Sequence, residues 1–157
     1  GLLEKVVRQL KKLPPRLAVE VELDLPVDAY LPHDFVTDIR ARIDFYRRLS
    51  KVQEFDEIRE LQQELLDRFG RLPRAVTQLL DLAQLRLEAA IWQISSVVND
   101  DGYLRFRFTM KSRIEQLARN TEVPLRIVDD QTAYVTVPAE IKNDELMIEF
   151  VKSVLQP

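Results

Sequence analysis

The single histidine, His33, stands beside Asp34 and is the chain's one candidate for a general base near neutral pH. It lies between Pro32 and Asp34 in what reads as an exposed turn, and no nucleophile is marked by its spacing, so a surface role outweighs a catalytic one. With no Cys among the 157 residues, thiolate catalysis, disulfides, zinc ribbons and iron–sulfur clusters are excluded together, and one His leaves little material for a metal site or a triad. The three glycines, Gly1, Gly70 and Gly102, are too dispersed for a phosphate-cradling loop, so any nucleotide chemistry belongs to another chain segment. The pairs Glu20 with Glu22 and Asp56 with Glu57 could act as acid and base. Among 26 acidic residues, however, such pairs are expected on solvated faces and carry little information.

Two basic groups invite a nucleic-acid reading. Arg40, Arg42, Arg47 and Arg48 are interleaved with Phe45 and Tyr46 on one expected helix, but Asp38 and Asp44 dilute them, and the i, i+4 pair Asp44 and Arg48 suits a solvated face. Arg105, Arg107 and Arg126 could line the exposed face of a small sheet, as in several RNA-binding sheets. Base stacking there needs aromatic rings on the same face; Phe106 and Phe108 point the other way, which leaves Tyr103 and Tyr134 as the available platforms. The net charge is −3, from 23 basic and 26 acidic residues, and such a field repels a phosphate backbone, so nucleic-acid binding by this chain alone is not expected. Trp92 fits an interface anchor or a core residue, with the core favoured.

The elements that must position these groups follow from periodicity. Residues 1–13 place Leu2, Leu3, Val6, Val7 and Leu10 at helical spacing before Pro14 and Pro15 stop them; the chain opens abruptly inside this pattern, which suggests the end of an upstream helix. From Leu17 to Leu25 the period becomes two, a strand with one wet face. Three helices are expected next. The first, residues 38–50, turns Ile39, Ile43, Tyr46 and Leu49 to the core. The second, residues 55–69, buries Phe55, Ile58, Leu61, Leu65 and Phe69 and is capped by Gly70. The third runs from Pro73 at its first position to about Ile94, with an apolar row wide enough to be enclosed on more than one side. A hairpin through residues 99–102 then turns Leu104, Phe106 and Phe108 inward. A short helix with Ser112 and Glu115 as a capping box, a second hairpin turning at residues 129–132, and a closing helix over 144–155 complete the chain.

The sum is an α+β fold: an N-terminal extended strand, a three-helix middle, then hairpin–helix–hairpin–helix. Residues 1–94 carry 15 basic and 16 acidic residues and residues 95–157 carry 8 and 10, so neither half is a charged tail. No signal peptide or membrane-length apolar run is apparent, and the expected setting is a reducing cytoplasm. The residues alone lead as far as a soluble interaction or regulatory module.

Two stretches carry a resemblance further. Residues 23–36, LDLPVDAYLPHDFV, followed by Phe45-Tyr46-Arg47-Arg48-Leu49, resemble the opening of the C-terminal domain of bacterial transcription-repair coupling factors. Residues 64–73, ELLDRFGRLP, and 82–87, LAQLRL, are similar to the next signatures of that domain in the same order, covering residues 17–94; beyond Ile94 no motif is recognised. Arg71 and Arg74 depart from the family pattern, which often has an uncharged residue or proline at the first position and an acidic residue at the second. The resemblance implies that residues 1–13 end an upstream linker or motor helix and that 17–157 form one C-terminal regulatory domain. It implies a non-catalytic part of a DNA-translocating ATPase that displaces stalled RNA polymerase and recruits excinuclease A. In that family this domain packs on an N-terminal excinuclease-B-like module, masking recruitment and restraining the motor. No cofactor is implied in the domain, with ATP and Mg²⁺ bound elsewhere in the parent, and no membrane. Glu64, Asp67 and Arg68, which lie off the buried row of their helix, together with Arg71 and Arg74, are the candidate contacts with the partner module. An accessory nucleic-acid-binding domain of the same translocase is the alternative.

Overall fold

A computed structural model describes residues 20–156; the expected first helix and the start of the first strand lie outside them. Strand β1 (Glu22–Asp24) leads through an extended segment to helices α1 (Ile39–Ser50), α2 (Phe55–Phe69) and α3 (Arg74–Ile91). Strands β2 (Ile94–Asp100) and β3 (Tyr103–Phe108), helix α4 (Lys111–Asn120), strands β4 (Leu125–Ile127) and β5 (Thr132–Thr136), and helix α5 (Asp144–Leu155) follow. The α+β class and the order of elements are those the sequence implies. The strands form one sheet in the order β1-β2-β3-β5-β4, antiparallel except that β1 lies parallel to β2 with Glu22 opposite Ser96. A parallel neighbour requires a crossover connection, and here all three middle helices form it.

Two hydrophobic clusters meet at α3. One joins the inner sheet face to α4 and α5 through residues such as Trp92, Leu104, Phe106, Leu117 and Val151. The other packs Leu31, Val36, Phe45, Ile58 and Leu65 beneath the middle helices. Helix α3 supplies Leu85 and Ala89 to the first and Val76, Leu80 and Ala83 to the second, which accounts for its wide apolar row. Each large side chain so buried stabilises the fold by about 1.5–3 kcal/mol. Two tight turns need unusual backbone. Gly70, at φ 90°, ends α2 and donates its N–H to the Leu66 carbonyl at 3.0 Å. Asp101 (φ 47°) and Gly102 (φ 84°) form the two-residue turn between β2 and β3, where positive φ at both positions matches the strand twist.

Four local expectations are corrected. On α1 the buried residue is Phe45, 4% exposed, whereas Ile39, Ile43 and Tyr46 face solvent and only Leu49 of the expected row is partly buried. Tertiary contacts fix this rotation: the Phe45 ring meets the Phe69 ring edge-on with centroids 6.1 Å apart, and Arg42 donates to the Leu31 carbonyl at 2.5 Å. The Tyr46 hydroxyl accepts the Leu31 N–H at 2.8 Å, which keeps that ring at the rim. Pro73 is the residue before α3 rather than its first, and α3 ends at Ile91 because Gln93, at φ 58°, turns the chain into β2. The Ser112–Glu115 box is not formed. The Thr109 N–H is held by the Gln93 carbonyl at 2.9 Å, so α4 starts at once with Met110 as its cap residue and Ser112 already inside it. The strand before the first hairpin turn runs Ile94–Asp100, so it takes in two of the residues, Asn99 and Asp100, that the sequence assigns to the turn.

A polar clip fastens the two halves. Gln78, 4% exposed on α3, donates through Nε2 to the Asp28 carbonyl at 2.5 Å and to Asp144 Oδ2 at 3.2 Å, and the Asp28 N–H donates to the same Asp144 oxygen at 2.8 Å. Truncating Gln78 to Ala strands the Asp28 carbonyl in a partly buried setting. Gln78→Ala is expected to lower the unfolding free energy by about 1–3 kcal/mol in a urea titration followed by circular dichroism. An unchanged midpoint would show that the clip contributes nothing.

Candidate interaction surface

The five candidate contact residues cluster around the C-terminal end of α2 and the turn into α3, three of them already engaged within the chain by charge or ring contacts. Arg48 of α1 grips Glu64 with both terminal nitrogens, at 2.8 and 2.9 Å, and Arg68 reaches the same carboxylate at 3.2 Å. The Arg48 hydrogen bond holds the Glu64 carboxyl below its ordinary range, opposed by burial and reinforced by Arg68. The same contact raises Arg48 above its ordinary value. Arg68 lies over the Phe45 and Phe69 rings, with its guanidinium carbon 5.5 and 5.0 Å from their centroids. Asp67 accepts from Gln63 Nε2 at 2.9 Å, one turn back on α2. Arg74 faces Glu145 of α5 at 3.8 Å with both side chains largely exposed, a pair worth about 0–1 kcal/mol. Arg71 is exposed and makes no ion pair among the described residues. The result is a charged surface braced by contacts within the chain.

The other candidates separate into structural and solvent-facing groups. His33 and Asp34 are both exposed with no hydrogen bond between them, so no acid–base pair is assembled there. Glu57 completes a capping box with Glu54 at the start of α2, and Asp56 pairs with Arg59. Of the four arginines on α1, Arg42 and Arg48 are consumed by the Leu31 carbonyl and by Glu64, which leaves Arg40 and Arg47 at the surface. Trp92 is fully buried and donates from Nε1 to the Leu155 carbonyl at 2.8 Å, as the core reading expects. An open groove of about 640 Å³ lies between the end of α1 and α3, lined by Tyr46, Ser50, Leu79, Arg86 and Leu87 among others. Ser50 donates its hydroxyl to the Arg47 carbonyl at 2.7 Å instead of to a base, and burial lowers the pKa of Arg86. Among the described residues no cluster of His, Asp and Glu could hold a metal ion, and no helix is long and apolar enough to cross a membrane.

The outer face of the sheet carries a second polar surface. Leu104, Phe106 and Phe108 turn inward as the alternation requires, which places Tyr103, Arg105 and Arg107 on the outside of β3. Arg126 of β4 and Tyr134 of β5 share that side through the pairing register. The two tyrosine rings meet edge to face with centroids 6.2 Å apart. Alternation in the sequence marks the outward residues of each strand, but only the register of β3, β5 and β4 brings them side by side on one face.

The family model described as the TRCF domain matches residues 25–118. The transcription-repair-coupling factor of Myxococcus xanthus is 37% identical over 158 residues, which cover 96% of this chain and 13% of that protein. Its counterpart in Staphylococcus aureus (strain USA300) is 38% identical over 153 residues, again 96% of this chain and 13% of that protein. A crystal structure described as the C-terminal domain of a transcription-repair coupling factor superposes with a TM-score of 0.74 at 23% identity, covering 91% of this chain and 96% of that one. That likeness shows a shared fold. The chain belongs to the TRCF domain family and is the domain of a transcription-repair coupling factor, spanning about an eighth of the length of the curated relatives it matches. In this family the domain is a small non-catalytic one.

Proposed function

We propose that this domain is an autoinhibitory docking module, which packs on an excinuclease-B-like module of its own parent protein, masks excinuclease A recruitment and restrains an ATP-driven DNA motor. The observation that carries the reading is family membership along nearly the whole chain, including the ELLDRFGRLP segment around which the candidate contacts cluster. The physical character of that surface supports it. An interface that must close and reopen is held by a few kcal/mol, and exposed charges that already have weak internal partners can be exchanged at that cost. The parent's further partners under this reading are RNA polymerase and duplex DNA, its cofactors are ATP and Mg²⁺, and its setting is the bacterial cytoplasm; the domain itself needs neither cofactor nor membrane.

Calorimetric titration of the chain against the excinuclease-B-like module of its parent, at physiological salt and with duplex DNA as a parallel ligand, tests the reading. The module should bind weakly, because the two are normally tethered, and duplex DNA should not. Arg71→Glu, at a position with no ion pair to lose among the described residues, should weaken module binding several-fold without altering the fold. In the full-length protein Glu64→Ala should raise basal ATPase activity. Absence of module binding would overturn the docking role, and an unaltered affinity in Arg71→Glu together with unaltered ATPase in Glu64→Ala would remove this surface from it.

A further inference from the structure

We propose that the outer face of β3, β5 and β4 is a binding platform for single-stranded RNA, a role beyond docking and on a different face of the domain. Tyr134 sits in the middle of this face. The register places Arg105 directly opposite it on β3 and Arg126 directly opposite it on β4, so one row across three strands reads Arg, Tyr, Arg. With neighbouring strands about 4.8 Å apart, that row is about 10 Å wide, broad enough to pass under more than one nucleotide, since a stacked strand rises about 3.4 Å per residue. Tyr103, 43% exposed, lies on the diagonal beside Tyr134 and offers a second ring, while Arg107 extends the basic row along β3. None of the outward positions of these three strands is acidic.

The nearby carboxylates do not neutralise the face. Asp100 pairs with Arg105 at 3.0 Å, but both groups are exposed, and such a pair, worth about 0–1 kcal/mol, yields readily to a phosphate. Asp129 and Asp130 lie in the turn beyond the strands; Asp129 is held first by the N–H of Gln131 and only weakly by the charge of Arg107 at the end of the row, and Asp130 pairs with Lys111. Glu22 and Asp24 share this face but belong to β1, with β2 between them and the arginines of β3. The net charge of −3 therefore averages over a surface that the fold has sorted, with basic and aromatic groups at one end of the sheet.

The ligand class follows from the shape. A flat, open face with a half-buried ring at its centre and an exposed ring beside it takes unstacked bases, which a duplex hides, and arginines in line with the rings meet the phosphates between them. The Thr136 hydroxyl, exposed and directly opposite Tyr103, offers beside the rings both a donor and an acceptor, the complement of a ribose 2′-OH, which favours RNA over DNA.

Fluorescence anisotropy with a labelled twelve-nucleotide oligo-uridylate tests this directly on the chain. Binding should weaken about tenfold between 50 and 200 mM salt, as two or three phosphate contacts require. Tyr134→Ala should weaken it about tenfold or more, and Tyr103→Ala, at a more exposed position and so safer for the fold, should do likewise. Arg126→Ala should reduce the slope of log affinity against log salt by about 0.7. Tyr30→Ala, an exposed tyrosine of the segment before α1, is the control and should change nothing. No binding of the oligonucleotide, equal binding by both sheet-tyrosine variants with unaltered circular dichroism, or equal affinity for duplex or for oligo-thymidylate would overturn the assignment. If the sheet-tyrosine variants instead lose only the excinuclease-B-like module, the face is a protein surface and the RNA proposal fails while docking stands.

Discussion

Trp92→Ala is expected to destabilise the domain by about 3–5 kcal/mol, enough to unfold a large fraction of a marginally stable chain. The indole is wholly buried between α3 and α5, beneath the inner sheet face, and its Nε1–H satisfies the Leu155 carbonyl at the end of α5. Removing it opens a cavity where the connection from α3 to β2 meets the last helix, and it strands that carbonyl. Trp92→Phe separates the two effects: the ring volume is largely kept, and the loss should fall to about 1–3 kcal/mol from the hydrogen bond. Urea unfolding followed by circular dichroism measures both. As Trp92 is the chain's one tryptophan, its emission in the unaltered protein should be blue-shifted when folded and move red across the same transition. A Trp92→Ala chain with an unshifted midpoint would mean that the indole does not hold α5 to the sheet.

Phe45→Ala should cost about 3–5 kcal/mol, while Ile43→Ala, two residues away on the same helix, should change stability by no more than about 0.5 kcal/mol. Periodicity alone reverses this order, since Ile39, Ile43 and Tyr46 form the more regular apolar row. The structure buries Phe45 against Phe69 and beneath the Arg48 and Arg68 guanidiniums, and leaves Ile43 52% exposed. Measured side by side in urea, comparable losses for both variants would mean that α1 is rotated from the position described. Phe45→Ala also removes the ring on which Arg68 rests, so it should loosen the Arg48–Glu64–Arg68 brace. The charged surface proposed for docking and the three-helix core are thereby coupled through one side chain.

These two cases mark where sequence reasoning reaches and where it stops. Helices α2 and α5 match their expected bounds because each has one apolar row, polar flanks and a local stop or cap: Gly70 after α2, and Asn143 accepting the Leu146 N–H before α5. The inward turn of Leu104, Phe106 and Phe108 follows from strict alternation next to an Asp-Gly turn. Helix α1 fails because it carries two apolar rows, and a partner outside the helix chooses between them. The capping box at Ser112 fails for a related reason. A hydrogen bond from Thr109 to Gln93, distant in sequence, starts α4 before the local signal can act.

By itself, the sequence determined the α+β class, most element boundaries, the absence of cysteine chemistry and of a phosphate loop, and, through LDLPVDAYLPHDFV and ELLDRFGRLP, the family to which the chain belongs. Those properties are local: they depend on periods of 2 and 3.6, on turn residues and on contiguous motifs. Tertiary structure alone decided that β1 pairs in parallel with β2 across a three-helix crossover, that Glu64 is braced by Arg48, and that Tyr103, Tyr134 and three arginines share one face. These contacts join residues between 8 and 74 positions apart by register or by helix rotation, and neither is encoded in the spacing of neighbouring residues.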